Sequence, residues 1–390
     1  MHPTTADDPP AGAATSTPEP VPIAVVVGSW LPRSETFVHE PLRLQRRTRA
    51  SVIAGSRTAW ADQFPYEPLT HLSLGEQIGY RHLGVCPAID AILHTSGARL
   101  VFAHFGLNGA FIRPFAERAR LPLAVLFHGH DVGGLEPRNR WTIRYHRYQR
   151  QAPRMFDYAS SLLCASSELA RKLVEYGAPP DKVRVHRLGV DIERFSPPSP
   201  SERESRPTVL MVGRLVEKKG VSYGLRAFAR VRERVRSARL RIVGDGPLRR
   251  LLATEASSLG LSDCVEFLGP QPSEAVREQM RLAHVLFTPS VTTATGDRES
   301  GVIVIKEAAS CALPAVASDH GGIPEIVDHE RTGLLVPERS VEGLAHALER
   351  LLRDDTLRHR MGAEARRKMV DEYDNRVQVA ALEQTLLDLL

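Results

Sequence analysis

The sequence predicts an α/β protein of two facing Rossmann-like domains, each a doubly wound parallel sheet, with a cleft between them. The chain has 390 residues, which is too long for one ordinary core and suits two domains. Short runs rich in β-branched residues alternate with helical stretches, a pattern typical of parallel sheets covered by helices. Near the middle, residues 196–207 contain no apolar side chain other than proline, which predicts a linker between the domains.

The elements are expected in the following order. Residues 1–20 are rich in Pro, Ala and Thr without periodicity, so we expect a disordered tail. Residues 21–195 form the first predicted domain, residues 208–370 the second, and residues 371–390 a final helix. The strands expected in the first domain are Ile23–Val27, Ser51–Ala54, Leu100–Ala103, Leu123–Phe127 and Leu162–Ala165. Those expected in the second domain are Val209–Val212, Leu240–Val243, Val265–Leu268, Val285–Phe287, Ala315–Ala317 and Gly333–Val336.

Composition and charge restrict the function classes. The chain is 42% hydrophobic and 25% charged, as in a soluble globular protein, and its net charge is +5. This basic excess suits an anionic donor and an anionic membrane surface, although a well solvated surface explains it equally. Nucleic acid is not expected as a partner, because no basic stripe is interleaved with aromatic residues. No apolar run reaches the roughly 18 residues of a membrane span and no secretory pattern opens the chain, so we expect a cytoplasmic protein.

The cysteines give no sign of a disulfide framework or of a zinc site. They are scattered along the chain at Cys86, Cys164, Cys264 and Cys311, without any Cys-x-x-Cys pair. Such spacing favours buried thiols.

Two acidic residues stand eight positions apart where a polar loop runs into an apolar helical stretch. Eight residues are a little over two helical turns, so Glu299 and Glu307 are expected along one side of the helix, about 12 Å apart along its axis. The backbone N–H groups of Ser300, Gly301 and Val302 are expected between them at a helix N-terminus, which favours a phosphate. This arrangement suits a nucleotide sugar: one acid for the sugar hydroxyls, the amides for the diphosphate and the other acid for the ribose.

Three stretches of the second domain carry a family resemblance. The Glu-x7-Glu segment continues as Ala-Ala-Ser-Cys-Ala-Leu-Pro-Ala-Val-Ala-Ser, after Val-Gly-Arg-Leu-Val-Glu-Lys-Lys-Gly at 212–220 and Val-Gly-Asp-Gly-Pro at 243–247. In this order they resemble the C-terminal half of the family 4 retaining glycosyltransferases, from Thr208 to Pro337. Three segments of the first domain resemble the branch of that family that builds bacterial exopolysaccharides of the colanic-acid type. They are Ser34–Val38, Ala103–Gly106 and Phe127–Asp131.

The resemblance implies a GT-B fold in which the second domain holds a UDP- or GDP-sugar and the first holds the acceptor. It also implies that the final helix packs back on the first domain. Arg214 and Lys219 follow a predicted strand, and the family pattern assigns both to the diphosphate, choosing Lys219 over Lys218. Cations at that position stabilise the charge that develops on the leaving phosphate. The alternative is a pair of solvated basic residues in a loop.

Other donor contacts follow from the same motifs. The resemblance implies that Glu299 binds the hydroxyls of the donor sugar and that Glu307 binds the ribose. An exposed helix residue is the alternative at position 307. The remaining donor-binding residues are expected to be Gly213, Asp245, Gly246, Ser300, Gly301 and Val302.

A histidine closes the fourth expected strand of the first domain. His128 is therefore expected at the carboxyl end of the strand, facing the cleft, where it can donate to a sugar hydroxyl or steady charge near the anomeric carbon. The family carries a functional histidine at the matching place; a hydrogen-bonded structural histidine is the alternative. The cluster of His128, His130 and Asp131 with His104 raises a metal site. We expect no metal, because no helical His-x3-His pair is present and Arg214 and Lys219 already supply charge at the diphosphate.

The acceptor is expected to contact the first domain. Residues 28–36 follow the first strand but contain no Gly-x-Gly-x-x-Gly, which argues against a nicotinamide or flavin site. Glu35 and Thr36 offer groups for acceptor hydroxyls, together with His104 and Asp131. An N-cap by Ser34 is the structural alternative for this loop.

The combined prediction is a metal-independent, retaining glycosyltransferase. It would move a hexose-type sugar from a nucleoside diphosphate sugar to a sugar or lipid-linked acceptor, in exopolysaccharide or glycolipid biosynthesis and at the inner membrane face. Retention is implied by the family alone. The alternatives are a glycosyltransferase of natural products, another GT-B nucleotide-sugar enzyme such as an epimerase or hydrolase, and a binding subunit without turnover.

Overall fold

A computed structural model describes residues 19–30, 36–58, 65–199, 202 and 204–390. In this part of the chain, two parallel sheets form two α/β domains. The first sheet has the order β3-β2-β1-β4-β5-β6-β7 and the second the order β10-β9-β8-β11-β12-β13. The strands are β1 Val21–Val27, β2 Thr48–Ala54, β3 Leu69–His71, β4 Val101–His104, β5 Leu123–Phe127, β6 Ser161–Cys164, β7 Val183–Val185, β8 Thr208–Val212, β9 Arg239–Val243, β10 Val265–Gly269, β11 Val285–Thr288, β12 Ala315–Asp319 and β13 Gly333–Pro337.

Helices cover both faces of each sheet. Both faces of the central strands are therefore buried, which explains why a strand such as β5 reads as a continuous apolar run. In the first domain the helices are α1 Thr36–Leu44, α2 Leu74–Ile78, α3 Pro87–Thr95, α4 Gly106–Ala119, α5 His130–Gly133, α6 Ile143–Tyr158 and α7 Ser167–Glu175. The helices that follow the first domain in the chain are α8 Val221–Arg234, α9 Arg249–Ser258, α10 Ser273–Leu282, α11 Ile303–Ser310, α12 Ile323–Ile326, α13 Val341–Arg353, α14 Asp355–Glu372 and α15 Asn375–Leu387.

Every strand expected from the sequence is present, with ends that differ by a few residues at most. Two edge strands were not expected. β3 and β7 are three residues long and only half-buried or exposed, so neither shows an apolar run. In both sheets the strand order reverses beside the first strand, at β1/β4 and β8/β11. Ligands of doubly wound sheets bind at the carboxyl ends of strands near such reversals.

The chain passes between the domains twice, and the two passages are hydrogen-bonded to each other. Val190 donates to the Tyr373 carbonyl at 2.8 Å, and Asn375 donates to the Val190 carbonyl at 3.0 Å. α15 then lies on the first domain, where the buried Glu383 carboxylate accepts the backbone N–H groups of Arg47 and Thr48, both at 2.8 Å. The last helix of the chain is thus part of the first domain's core.

The expected tail and linker lie partly outside the described residues, which exclude 1–18, 200, 201 and 203. The described part of 196–207 lies against the second domain. Arg281 donates to the Ser196 carbonyl at 3.1 Å, and Glu204 donates to the Leu282 carbonyl at 3.2 Å. All four cysteines are buried thiols, as expected. None of the helices in the described ranges is long and apolar enough to cross a membrane.

Candidate functional site

Two glycine-rich loops meet at the carboxyl end of the second sheet. A Cβ on Gly244 would lie 1.9 Å from the Gly213 carbonyl oxygen, and one on Gly246 would lie 2.5 Å from the Leu215 carbonyl oxygen. Leu215 donates to the Asp245 carbonyl at 2.9 Å, and the Asp245 carboxylate accepts the N–H of Gly246 at 2.8 Å. The two loops are therefore packed against each other beside the strand reversal. They contain the expected donor residues Gly213, Asp245 and Gly246.

The basic residues that follow β8 differ in their partners. Arg214 is exposed, and its guanidinium makes no hydrogen bond or ion pair with the described residues. The Lys219 ammonium lies 2.7 Å from a carboxylate oxygen of Glu299, whereas the Lys218 ammonium lies 3.0 Å from Asp297. Of the two cations expected at the diphosphate, Arg214 is thus without an ionic partner among the described residues. Lys219 is paired with Glu299, the acid expected to bind the donor sugar.

The two acids are not on one helix, so this expectation was wrong. α11 begins at Ile303, because Val302 has a non-helical backbone with ψ of 86°. Glu299 therefore belongs to the preceding loop. The expectation of three free amides was also wrong in part: Val302 donates to the Ser300 carbonyl at 2.9 Å. Among the described residues, the N–H groups of Ser300 and Gly301 have no acceptor, so they remain available to an anion.

The Glu299 loop is held by residues that the sequence reasoning missed. The Glu299 N–H donates to Nε2 of the buried His320 at 3.0 Å. The other ring nitrogen of His320, Nδ1, lies 2.7 Å from the Glu338 carboxylate, which also accepts the Thr292 N–H at 2.7 Å. Because Nε2 accepts, the proton of a neutral His320 ring must lie on Nδ1 and donate to Glu338. Their positions just after the parallel strands β12 and β13 were the available clue.

The Glu299 carboxylate is ionised despite its burial. Its side chain is almost fully enclosed. Burial acts to raise the pKa of Glu299, but the charges of Lys219 and then Lys218 outweigh it and leave the pKa below 4.5. The backbone of Gly321 packs closely against the Glu299 loop, since a Cβ on Gly321 would lie 2.1 Å from the Glu299 carbonyl oxygen.

Glu307 borders a different opening. With Ile303 it lines a crevice of about 820 Å³ between the domains, whose other walls include α1 and α15. Burial raises the pKa of Glu307 to about 7, and the charge of Arg194 opposes this only partly. Glu299 instead borders a smaller opening of about 290 Å³ shared with first-domain residues. Glu307 is therefore half-buried at the crevice, and the alternative that it is an exposed helix residue was wrong.

The expected first-domain histidine stands at the end of β5. Nε2 of His128 lies 3.1 Å from Nδ1 of His104, and the two rings are stacked with centroids 5.3 Å apart. Burial lowers the pKa of His104 to about 3 and that of His128 well below 6.5, with neighbouring histidines adding to the effect. Nδ1 of His128 is buried and has no hydrogen-bond partner in the described part of the chain. A neutral His128 is thus left with one ring nitrogen for a further partner.

The remaining expected acceptor residues are placed as follows. The buried Asp131 carboxylate accepts the N–H groups of Gly106 and Gly129, both at 2.8 Å, and that of His128 at 3.2 Å. It shapes the turn after β5, and both of its oxygens are occupied. Glu35 lies outside the described residues, and Thr36 begins α1 without a described side chain. Over the described ranges, no group of three or more His, Cys, Asp or Glu side chains could hold a metal ion.

The His128 turn and the Glu299 loop touch each other across the cleft. A Cβ on Gly129 would lie 3.0 Å from the Cβ of Ser300, and the hydroxyls of Ser166 and Ser300 are 3.3 Å apart. Arg298 pairs with Glu168 at 2.8 Å. The residues that the sequence reasoning assigned to opposite domains are therefore adjacent.

A second contact joins the domains beside this site. Glu325 of α12, in the second domain, accepts the backbone N–H groups of Ser167 at 2.7 Å and Glu168 at 3.2 Å. These belong to the first turn of α7, whose unpaired donors and dipole favour a carboxylate. The segment from Gly321 to Glu325 thus contacts both the Glu299 loop and the first domain.

Comparisons with known proteins identify both halves of the chain. Residues 35–194 match the family model described as Glycosyltransferase Family 4, and residues 193–368 the model described as Glycosyl transferases group 1. WcaL of Escherichia coli, named for glycosyl transfer in colanic acid biosynthesis, is 35% identical over 66% of this chain and 63% of its own length. The chain thus spans somewhat less than two thirds of that relative.

A further relative and a solved structure extend the comparison. The GDP-mannose-dependent alpha-(1-6)-phosphatidylinositol monomannoside mannosyltransferase of Mycolicibacterium smegmatis is 32% identical over 71% of this chain and 73% of its own length. The crystal structure of HepE from Anabaena in complex with UDP and glucose superposes with a TM-score of 0.78 over 94% of this chain and all of that one. Sequence identity in this superposition is 21%, so it shows the shared two-domain fold.

Proposed function

Because the chain belongs to glycosyltransferase family 4, we propose that it moves a hexose-type sugar from a nucleoside diphosphate sugar to a hydroxyl acceptor with retention at the anomeric carbon. The second domain holds the donor and the first domain holds the acceptor. The transfer belongs to exopolysaccharide or glycolipid biosynthesis. The names of the relatives support this choice, and so does the first-domain resemblance.

The observation that carries the proposal is the contact between the His128 turn and the Glu299 loop. It brings an unpartnered imidazole nitrogen, a carboxylate and two unpaired amides to one edge of both sheets. A donor sugar seated between them would meet Glu299 from one domain and His128 from the other. The diphosphate would lie toward Arg214, Lys219 and the amides of Ser300 and Gly301.

The chemistry follows from these positions. The bond between the anomeric carbon and the diphosphate oxygen breaks, and the acceptor oxygen forms a new bond to that carbon on the same face. The acceptor's proton passes to the leaving phosphate oxygen. Arg214 and Lys219 stabilise the charge that develops on the diphosphate, so no divalent ion is required. Lys219 must exchange part of its contact with Glu299 for the phosphate, which frees Glu299 for sugar hydroxyls.

The donor is a UDP- or GDP-sugar, and the acceptor is a sugar or a lipid-linked sugar. Support for the two bases comes from different comparisons: a UDP complex of a protein with the same fold and a GDP-mannose-dependent relative. The cytoplasmic location stays a prediction.

A thermal-shift screen against UDP, GDP and their sugars tests donor binding directly. A ligand at a hundred times its dissociation constant adds about 2.7 kcal/mol to the free energy of unfolding, which raises the melting temperature measurably. We expect the shift for one base and its loss in Arg214→Ala. The exposed Arg236→Ala variant, away from these loops, is the matched control.

Transfer is tested by incubating the shifted donor with candidate acceptors and determining the product's anomeric configuration by NMR. We expect an axial donor linkage to stay axial, with a rate unchanged by EDTA. An altered sugar in the absence of acceptor would indicate an epimerase, and rapid free sugar would indicate a hydrolase. Binding of no nucleotide at all would overturn the proposal.

A further inference from the structure

A buried lysine stands next to Glu307 and has no part in the proposed reaction. The side chain of Lys306 in α11 is only 1% exposed, and no carboxylate forms an ion pair with it among the described residues. Burial lowers the pKa of Lys306 to about 7, the charge of Arg187 adds to this, and the charge of Glu325 opposes it. Lysine is almost never fully buried without an ion pair, because burying its charge costs free energy. The cost points to a role for Lys306 other than packing.

The Lys306 side chain reaches both passages of the chain between the domains. Its Nζ donates to the Leu188 carbonyl in the first passage at 2.7 Å. The same nitrogen lies 4.7 Å from the centroid of the Tyr373 ring in the second passage. Val190 and Tyr373 are hydrogen-bonded to each other beside these contacts. A single side chain of the second domain thus contacts both parts of the joint, by which we mean residues 188–190 and 373–375.

The Tyr373 ring that Lys306 contacts is itself held in place. It is fully buried, and its hydroxyl donates to the Glu325 carbonyl at 2.9 Å. The carboxylate of the same Glu325 accepts the N–H of Ser167 in the first domain. The ring is therefore part of the set of contacts that fixes one domain against the other.

The helix that carries Lys306 depends on contacts of this kind. α11 has eight residues, and no side chain caps its N-terminus. A helix this short is held in place mainly by tertiary packing. Adjacent helical residues are about 100° apart around the axis, so Lys306 faces the joint while Glu307 faces the crevice. A contact that fixes one of these side chains therefore orients the other.

We propose that Lys306 is a positioning residue that holds Glu307 at the donor site and couples nucleotide binding to the arrangement of the domains. With Lys306 in contact with both passages, α11 is anchored to the joint and Glu307 stays in the wall of the crevice. Without this contact, α11 is free to shift and a bound nucleotide meets a displaced acid. The coupling to the nucleotide rests on the proposed function, in which Glu307 binds the ribose, whereas the anchoring to the joint does not.

Titration calorimetry with UDP and with GDP tests the positioning. Lys306→Met removes the charge and the donor but keeps a long unbranched side chain. Because an apolar residue in place of a buried charge is often neutral or stabilising, the melting temperature should stay the same or rise. The affinity for the nucleotide should nevertheless fall about 3- to 30-fold. A purely structural role would lower the melting temperature and leave the affinity unchanged.

Lys368→Met is the matched control. Lys368 is also buried, but it pairs with Asp328 inside the second domain, where Arg331 remains as a partner of that carboxylate. This variant should bind nucleotide like the wild type. Small-angle scattering without nucleotide reports on the joint: the radius of gyration should increase in Lys306→Met and not in Lys368→Met.

Tyr373→Leu removes the other partner of the contact. It should weaken nucleotide binding as well, and its combination with Lys306→Met should add little, because the two changes remove one shared contact. Wild-type affinity or an unchanged radius of gyration in Lys306→Met, equal loss in Lys368→Met, or fully additive losses would overturn the inference alone. A wild-type chain that binds neither nucleotide would overturn the proposed function and the coupling with it.

Discussion

The ammonium of Lys219 and a carboxylate oxygen of Glu299 are 2.7 Å apart, in a pair that is largely shielded from water. Burial alone would raise the pKa of Glu299, yet Lys219 and Lys218 together lower it. The pair therefore contributes stability above the ordinary pKa of 4.5, and this contribution is lost as pH falls through the lowered value. In the proposed reaction both partners face the donor, so the pair holds the site in order until the donor arrives.

Replacing Lys219 by Met should reduce kcat about 100- to 1000-fold, because a charge that stabilises the leaving diphosphate is lost. The acid limb of the pH–rate profile should also move to higher pH, since Glu299 loses its main cationic neighbour. Lys218→Met is the matched control. It should reduce kcat only about tenfold or less, because Lys218 pairs with Asp297. Steady-state kinetics across pH measures both effects, and equal losses in the two variants would contradict the assignment.

Replacing His320 by Leu should lower kcat roughly 5- to 100-fold while changing the melting temperature little. The buried N–H of Glu299 would lose its acceptor, at a cost of about 1–3 kcal/mol borne mainly by the loop. His320→Gln should recover part of the activity, because its amide oxygen can accept the same N–H without the link to Glu338. A general packing role for His320 would leave the two variants alike.

Glu307 should make stability fall as pH rises from 4.5 to about 7. Its folded-state pKa is raised, so the folded chain binds more protons than the unfolded chain within this window. Glu307→Gln should remove this slope and gain about 1–3 kcal/mol above the window. Urea unfolding at several pH values gives the difference from wild type. Exposed Glu175→Gln is the control and should leave the slope unchanged.

Glu325→Ala should loosen the contact between the domains without unfolding either. Loss of the carboxylate that accepts the N–H groups at the start of α7 costs about 0.5–2 kcal/mol. Because Ser167 and Glu325 lie in different domains, this loss weakens the contact between the domains and not the folding of either one. Small-angle scattering should show a larger radius of gyration. Ser340→Ala removes a cap within the second domain, so it should lower stability without this expansion.

Much of the fold could be predicted because the central strands of both sheets are buried on both faces. Continuous apolar runs such as Leu123–Phe127 mark such strands directly, and the proline-rich stretch separated two series of them. The edge strand Val183–Val185 is half-buried at Val183 and exposed at its other two residues, so it shows no apolar run that could indicate it. Motif spacing likewise predicted which residues surround the donor, but it placed Glu299 on a helix that begins four residues later.

By itself, the sequence determined the parallel architecture, the strand ends that carry polar residues and the family. These depend on local composition and on the order of motifs, both of which one chain displays along its length. Only the tertiary structure decided which charges pair, since Lys218 and Lys219 are neighbours in the chain but meet different carboxylates. It also decided the roles of His320, Glu338 and Glu325, because their partners lie far away in sequence and become neighbours only when strand ends and domains come together.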